Sequence, residues 1–497
     1  IIRKMNYRNV CMILPTIALM SENIVKINTD ETLGFIRDNY LLHTLSKTNI
    51  GDDKNLFVFT PERYLSFRDN SKINFDFVFI DEAYKLDNSF IIQEEQAENE
   101  RDIAYRLCIN DLCYNSKDML LAGPYIEFFD SEDRRSISFT TFLNANQIEL
   151  LDYNEYELVI QDDVLIKTSK KFIIDNKEHE FTDSKKTTRF VELINIIINK
   201  SENAMVYCST VASTEKYGKL LLELCITPSE EIDEYKEFIS HLKNTFHEDW
   251  VLVKLLEKGI AVHHGCIPKY IQKEIIHFFN LGVIRVLLCT TTITEGVNTT
   301  AKNIVVLSEK KGRKLLRKFD ARNIAGRAGR FTKHFKGRVF ILQNNFRSIK
   351  NSENVEGLAH KNYDVDSVKD EIDLTITKKD FLSSEDDERL EKLLNEAEEI
   401  GVPNQVLNKY QSVSYSTKFT IFKAVMNLNQ QDMDELRRGV MLLTAFKGER
   451  INKKCLALII QCTESFFKDR YLVFLHDQKV LLNVIMSYLK TGYRGML

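Results

Sequence analysis

The sequence predicts an α/β protein with two doubly wound, mostly parallel sheets in series, followed by an α-helical C-terminal region. Three observations support this. Short apolar runs alternate with longer helical segments, which is typical of βαβ units. The chain has 497 residues, of which 44% are hydrophobic and 28% charged, enough for about three ordinary domains. Polar clusters follow several apolar runs directly, where open parallel sheets bind their ligands.

The elements are assigned from the apolar runs and their boundaries. Residues 156–174 are expected to be strand-rich, and residues 182–186 to form a linker. We therefore place the first lobe at 1–182, the second at 183–346 and the helical region at 347–497. The predicted strands are 10–14, 57–59, 75–80 and 119–122 in the first lobe, and 204–208, 260–262, 284–288, 304–307 and 338–342 in the second.

Composition narrows the class of protein. No run approaches the roughly 18 apolar residues of a membrane span, so we expect no membrane association. The nine cysteines form no Cys-x-x-Cys pair, which argues against zinc and iron–sulfur sites and for a reducing, cytoplasmic compartment. The net charge is −4, but residues 310–338 carry twelve Lys and Arg against one acid, Asp320, which predicts a local nucleic-acid footprint.

An acid pair, Asp81 and Glu82, directly follows the predicted strand 75–80. One carboxylate could hold a hydrated Mg²⁺ ion while its neighbour orients or deprotonates an attacking water. Surface Asp-Glu pairs at strand ends are common, so a purely structural role remains open at this point.

Two arginines, Arg327 and Arg330, lie in a Gly-Arg-Ala-Gly-Arg segment late in the chain. Guanidinium groups suit phosphate oxygens, and the glycines allow a close approach of the backbone. Alone, the segment is more typical of a basic turn on a solvated surface. Residues 290–298 place threonine hydroxyls after a strand, suited to phosphate contact, with a threonine-rich turn as the alternative. The adjacent His263 and His264 lack a third ligand at metal-site spacing, so a structural role is favoured.

Taken in order, these segments resemble the motif set of the superfamily 2 helicases, in the DExH branch that includes exosome-associated, spliceosomal and archaeal repair helicases. The resemblance covers about residues 10–345. The matching segments are 13–19 (motif Ia), 60–63 (Ib), 81–84 (II), 121–124 (a degenerate III), 206–210 (IV), 263–265 (the motif after it), 290–298 (V) and 323–330 (VI).

The resemblance implies two RecA-like lobes and an ATP-dependent helicase or translocase acting on single-stranded DNA or RNA. It implies that Asp81 binds Mg²⁺, Glu82 activates water, and Arg327 and Arg330 reach the γ-phosphate of ATP across the cleft. Gly296 and Asn323 would also contact the nucleotide. The residues expected to hold the nucleic-acid strand are Pro15, Thr16, Thr60, Arg63, Thr210, His264, Gly265, Thr290 and Thr291. Relatives often carry a winged helix and a helical bundle after the lobes, here with 401–428 as the winged-helix candidate, and a protein partner remains open.

The chain departs from the family pattern in several places. Tyr84 replaces the usual histidine of motif II, Asn323 replaces the usual glutamine of motif VI, and motif III lacks its hydroxyl side chains. No Gly-x-x-x-x-Gly-Lys-Ser/Thr phosphate loop occurs. Because that loop precedes motif Ia in relatives, we interpret the chain as a fragment that begins after it. We therefore expect residues 1–497 alone not to hydrolyse ATP at a useful rate.

Two other functions compete with the motor. The chain could be a catalytically silent nucleic-acid-binding scaffold derived from a helicase, although retention of both acids and both arginines favours the motor. A nuclease or restriction subunit would need a nuclease constellation, and none is found in residues 346–497.

Overall fold

A computed structural model describes most of the chain and confirms the predicted fold class: two parallel sheets followed by helices. The described residues are 1–48, 50–51, 53–87, 100–123, 134–153, 159–223, 233–291, 299, 301–329, 336–353, 357–445 and 453–463.

The first lobe is built on a five-stranded parallel sheet with the strand order β2-β3-β1-β4-β5. All five residues of β3 are buried, as expected for a parallel strand covered on both faces. The strands are β1 (Asn9–Ile13), β2 (Leu41–His43), β3 (Asn55–Phe59), β4 (Phe75–Ile80) and β5 (Ser116–Leu121). The helices are α1 (Ile2–Met5), α2 (Ile17–Thr29), α3 (Gly34–Asn39), α4 (Pro61–Arg68), α5 (Glu100–Asn115) and α6 (Arg134–Ala145), with 3₁₀ turns at Glu31–Leu33 and Ala83–Leu86.

The second lobe is built on a six-stranded parallel sheet with the order β10-β11-β9-β12-β15-β6. Four of its strands, β9 to β12, are buried throughout. The strands are β6 (Ile160–Leu165), β7 (Lys171–Ile174), β8 (Lys177–Glu180), β9 (Ala204–Tyr207), β10 (Ile260–His263), β11 (Val286–Cys289), β12 (Asn303–Val306), β13 (Lys310–Lys311), β14 (Lys314–Leu315) and β15 (Lys336–Ile341). The helices are α7 (Lys186–Asn199), α8 (Val211–Leu221), α9 (Asp233–Thr245), α10 (Val251–Leu256), α11 (Lys269–Asn280), α12 (Lys318–Ala325) and α13 (Phe346–Lys350).

The boundary predicted between the lobes at residue 182 is corrected by β6. This strand pairs in parallel with β15, from Ile160 opposite Lys336 to Leu165 opposite Ile341, so it belongs to the second sheet. The β7–β8 hairpin adds Phe172 to the same core. The second lobe therefore begins before Ile160, and the rest of the proposed division stays a prediction.

The C-terminal region consists of helices in its described part. Residues 357–445 contain no strand, so the expected winged helix finds no support among them. Leu358 and Tyr363 pack into the core of the first lobe, while the later helices share a core of their own. The helices are α14 (Glu371–Ile376), α15 (Ser384–Ile400), α16 (Asn404–Leu407), α17 (Tyr415–Met426), α18 (Gln430–Ala445) and α19 (Lys453–Thr463), with 3₁₀ turns at Lys361–Tyr363 and Lys379–Phe381. Among the described residues, no helix is long and apolar enough to cross a membrane.

Close packing fixes the turn that follows α12. The amide of Ala301 donates to the carbonyl of Arg327 (3.0 Å), and the amide of Gly329 donates back to Ala301 (2.8 Å). Gly329 has a φ of 81°, a conformation that favours glycine. Behind the turn, a Cβ atom added at Gly337 would lie 2.4 Å from the carbonyl carbon of Ala328. The backbone of the turn is therefore in close contact with β15 and cannot move nearer to it.

We predict that Gly337→Ala lowers the free energy of unfolding by about 2 kcal/mol, because the added methyl group must displace this backbone. Chemical denaturation of residues 1–497 measures the change. Gly265→Ala is the matched control, since a Cβ atom there meets nothing within 4 Å. Equal stability of the two variants would contradict the packing argument.

Candidate functional site

The sheet register gathers the predicted site residues of the first lobe at one edge. Ile13 lies opposite both Phe59 and Ile80, so the residues that follow these three strands emerge at the same level. Thr16, Thr60 and Asp81 each follow one of these strands. In an open parallel sheet, the crevice beside the carboxyl ends of the strands is the usual ligand site.

The second lobe repeats this arrangement. Cys289 at the end of β11 lies opposite His263 on one side and Tyr207 on the other. His264, Thr290 and Thr210 follow these strand ends. Each predicted group of residues is therefore brought to the carboxyl edge of its own sheet.

The acid turn, defined here as residues 81–87, is held by the strands beside it. The amide of Asp81 donates to the carbonyl of Ile13 (2.9 Å), and the amide of Ala83 donates to the carbonyl of Ala122 (2.8 Å). Between these anchors, Glu82 has a φ of 50°, which is uncommon for a residue other than glycine. Such a conformation persists only where its surroundings enforce it.

Asp81 is a carboxylate that suits a bound cation. Burial raises its pKa, and the neighbouring charge of Glu82 raises it further, while a hydrogen bond from the Glu82 amide and the charge of Lys85 act in the opposite direction. The Glu82 amide donates to Oδ1 of Asp81 at 3.0 Å. Paired carboxylate oxygens are the ligands that Mg²⁺ prefers, so these residues fit that ion.

Lys85 is a residue of the candidate site that sequence reasoning missed. It is 1% exposed, and its Nζ atom lies 2.6 Å from Oε2 of Glu82. The contact is a charge pair without a well-directed hydrogen bond. The signal was present in the sequence, because a lysine within the otherwise apolar run Ala83–Leu86 has to bury its charge beside a partner.

The two lobes meet at Tyr84 and Phe319. Their ring centroids are 4.8 Å apart with an interplanar angle of 62°, an edge-on aromatic contact. Phe319 lies on α12 of the second lobe but packs into the core of the first, and the two side chains are 5% and 3% exposed. The acid turn therefore touches the helix that carries Asn323 and leads to Arg327.

Arg327 forms hydrogen bonds within its own lobe through both its backbone and its side chain. Its Nη1 atom lies 3.5 Å from the carbonyl oxygen of Thr299, within its own lobe. Asn323 is partly exposed on α12. The predicted nucleotide contacts Arg330 and Gly296 lie outside the described residues.

Three of the predicted strand-contacting threonines are helix N-caps. The Oγ1 atoms of Thr16, Thr60 and Thr210 accept hydrogen bonds from backbone amides at 3.2, 3.4 and 3.2 Å, respectively. A capping hydroxyl can still donate its own proton, and the remaining amides of a helix N-terminus attract anions. Thr16 and Thr210 therefore lie where a phosphate could be bound, whereas Thr60 is 5% exposed and its contact with a strand stays a prediction.

The other residues predicted to bind nucleic acid differ in accessibility. Arg63 donates from Nη1 to the carbonyl of Thr44 (3.0 Å), within its own lobe. Gly265 is exposed and Thr291 is partly exposed. Pro15, His264 and Thr290 are buried, so their contact with a strand stays a prediction.

His263 and His264 carry little positive charge near neutral pH. Burial lowers the pKa of His263 to about 4, and burial also lowers the pKa of His264. Both are neutral at pH 7, so neither would supply positive charge to a phosphate.

The basic segment predicted as a nucleic-acid footprint is used partly inside the second lobe. Arg338 is buried and donates to Glu202 at 2.8 Å. Lys336 lies 2.6 Å from Asp162 of β6. Fewer of the twelve Lys and Arg side chains in residues 310–338 are therefore available to contact nucleic acid than the sequence alone suggested.

We predict that Asp81→Asn stabilises the fold at neutral pH. A carboxyl group whose pKa is raised on folding favours its protonated form, so its ionisation above that pKa destabilises the native state. The gain should be largest above the raised pKa of Asp81 and should vanish as the pH falls below the ordinary range of an aspartate. Thermal unfolding of both proteins across this pH range measures it.

Asp30→Asn is a control of opposite sign. Hydrogen bonds from Thr32 lower the pKa of Asp30, so its ionised form stabilises the native state at neutral pH. This variant should lose stability at pH 7 and match the wild type in acid. A destabilised Asp81→Asn at pH 7 would contradict the burial argument.

A second prediction concerns the Glu82–Lys85 pair. Breaking a buried pair leaves one uncompensated charge, so Lys85→Met should lower the free energy of unfolding by about 3 kcal/mol. The double variant with Glu82→Gln should recover part of this loss. The exposed Lys171–Glu178 pair, at 2.7 Å, is the control, and the same double-mutant cycle there should show no measurable coupling. Additive effects at positions 82 and 85 would refute the pairing.

Comparison with known proteins supports the motif assignment. Residues 226–332 match the family described as Helicase conserved C-terminal domain. Anti-bacteriophage protein B of Escherichia coli is 27% identical over 338 residues, which is 68% of this chain and 42% of that protein. Human Helicase POLQ-like is 22% identical over 346 residues, covering 65% of this chain and 30% of that protein.

A shorter similarity links the chain to an archaeal protein. ATP-dependent DNA helicase Hel308 of Aeropyrum pernix is 35% identical over 83 residues, which is 16% of this chain and 11% of that protein. The chain thus spans less than half of the length of each of these three relatives. The two parallel sheets and these similarities together support a superfamily 2 helicase of the DExH type.

Proposed function

We propose that the full-length protein hydrolyses ATP between its two lobes and uses the energy to move along one strand of DNA or RNA. The observation that carries this proposal is the contact between Tyr84 and Phe319. It makes the acid turn and the helix leading to Arg327 neighbours, and an ATPase that works between two lobes needs its acids and arginines on opposite sides of one cleft.

The roles of the residues follow from their positions. Asp81 would hold Mg²⁺, which supplies charge neutralisation for the phosphates, and Glu82 would orient the attacking water. Arg327 and Asn323 would contact the nucleotide from the second lobe. The roles of Arg330 and Gly296 rest on the sequence resemblance alone.

The nucleic acid would be held by its phosphates. The N-caps Thr16, Thr60 and Thr210 offer hydroxyl groups and helix N-termini, which recognise phosphates without regard to base sequence. Binding of this kind is sequence-independent and weakens steeply with salt.

One observation favours a second candidate, a catalytically silent nucleic-acid-binding scaffold. Lys85 already neutralises the carboxylate of Glu82 at 2.6 Å, and a base held in this way is poorly placed to accept a proton. The scaffold would bind nucleic acid with the same salt dependence but would not turn over ATP.

The test is ATP hydrolysis by the full-length gene product with single-stranded DNA or RNA. The wild type should be stimulated by one of them, and Glu82→Gln should reduce turnover by about a hundredfold or more, because it removes the acid that activates water. Nucleic-acid binding, measured by fluorescence anisotropy, should stay unchanged. Binding by both proteins with no turnover by either would reject the motor in favour of the scaffold.

The contact between the lobes can be tested in the same assay. Phe319→Leu replaces the ring that contacts Tyr84 with a smaller aliphatic side chain. We therefore expect nucleic-acid-stimulated ATP hydrolysis to fall several-fold, while nucleic-acid binding in the absence of nucleotide is retained. The matched control is Phe381→Leu, since Phe381 makes a similar contact with Tyr363 (4.9 Å) away from the acid turn. Equal turnover by the two variants would remove the support that this contact gives to the proposal.

A further inference from the structure

One buried arginine joins the acid turn to the C-terminal region. Arg106 lies on α5 and is 1% exposed. Its Nη1 atom donates to the carbonyl of Leu86 in the acid turn (3.0 Å) and to Asp102 (2.6 Å). Its Nε and Nη2 atoms donate to the two carboxylate oxygens of Asp373 on α14, at 2.8 and 2.7 Å. A single planar group therefore fixes the end of the turn relative to a helix about 270 residues further along the chain.

A second connection lies one residue further along the turn. Oδ2 of Asp87 accepts a hydrogen bond from the amide of Ala359 (2.9 Å). The same oxygen pairs with Arg135, whose Nε atom donates to the carbonyl of Gly357 (3.2 Å). The last two residues of the acid turn are thus both attached to the C-terminal segment.

The charges of this connection depend on one another. Burial alone would lower the pKa of Arg106, but Asp373 and Asp102 keep it above its ordinary value. Asp373 is fully buried, and Lys361 approaches it to 3.5 Å. Removing either partner would leave a buried charge without compensation. The protein therefore strongly favours the arrangement in which the two groups stay paired. Asp373 also forms a two-point contact with the guanidinium, which fixes direction as well as distance.

The contact between Arg106 and the acid turn lies only four residues from Glu82 along the chain. Leu86, whose carbonyl Arg106 holds, directly follows Lys85, and the Nζ atom of Lys85 lies 2.6 Å from Glu82. All four residues of the 3₁₀ turn between Glu82 and Asp87 are buried. A shift at Leu86 would therefore move the counter-ion of Glu82.

We propose that Arg106 and Asp373 are positioning residues for the acid turn, so that turnover depends on helix α14 of the C-terminal region as well as on the two lobes. The inference rests on the proposed ATP hydrolysis. It goes further because it places part of the support of the active site outside the lobes that carry the motifs.

The first experiment compares variants of the full-length gene product in stimulated ATP hydrolysis. Asp373→Asn removes the charge but keeps the shape, and Arg106→Lys keeps the charge but loses the planar fork. Each should lower kcat by about tenfold or more, because small displacements of catalytic groups are costly, while KM for ATP changes less than about twofold. Asp373→Glu, which keeps the carboxylate, should recover part of kcat.

Arg134→Gln is the matched control. The Arg134–Asp364 pair, at 2.9 Å, also joins the first lobe to the C-terminal segment, but neither residue contacts the acid turn in the described contacts. This variant should retain kcat within about twofold. A folded Asp373→Asn protein with unchanged kcat would overturn the proposal, as would an equal loss in Arg134→Gln.

Amide hydrogen exchange in residues 1–497 gives a readout that needs no ATP hydrolysis. The amides of Ala83, Lys85 and Asp87 donate hydrogen bonds that hold the acid turn in place. These amides should exchange faster in Asp373→Asn but not in Arg134→Gln. Unchanged exchange in both variants would overturn the positioning role. Faster exchange together with a wild type that lacks turnover would reject the proposed function while the structural link stands.

Discussion

The anchoring of the acid turn between neighbouring strands is the constraint on which the site depends. The amide of Asp81 bonds to the end of β1, and the amide of Ala83 bonds to Ala122 just beyond β5. Because these bonds continue the ladder of the sheet, the turn inherits the rigidity of five paired strands. The left-handed conformation of Glu82 is the local consequence, since the chain must reverse between two fixed points.

Buried charge is the second feature that organises the molecule. Lys85, Arg106 and Arg338 are each nearly inaccessible, and each is paired with an acid: Lys85 within the acid turn, Arg106 and Arg338 with acids of other segments. Burying an ion pair seldom adds net stability, but an unpaired buried charge is strongly unfavourable. Such pairs therefore exclude alternative arrangements. Arg106 attaches α14 to the first lobe in this way, and Arg338, through Asp175, attaches the β7–β8 hairpin to β15.

The sequence was informative about local structure and poorly informative about partners across the chain. The strands and the order of polar clusters followed from apolar runs such as 75–80 and from the residues directly after them. Residues 156–174 were expected to be strand-rich, but β6 was assigned to the first lobe, because its place at the edge of the second sheet depends on pairing with the distant β15. The contact of Arg106 with Asp373 was not predicted, because periodicity does not identify which distant acid compensates a buried cation.

In the proposed motor, the aromatic contact between the lobes would take the place of the usual motif II histidine. A histidine couples through a directional hydrogen bond that is either made or broken. Tyr84 and Phe319 instead share a buried apolar surface, which tolerates sliding but resists separation, since separation would expose both rings to water. Movement of the lobes would then be a rotation about this contact, with the rings kept together. The acid turn, held on one side by strands and on the other by Arg106, would stay still while α12 turns over it, so the second lobe would carry the larger share of the motion.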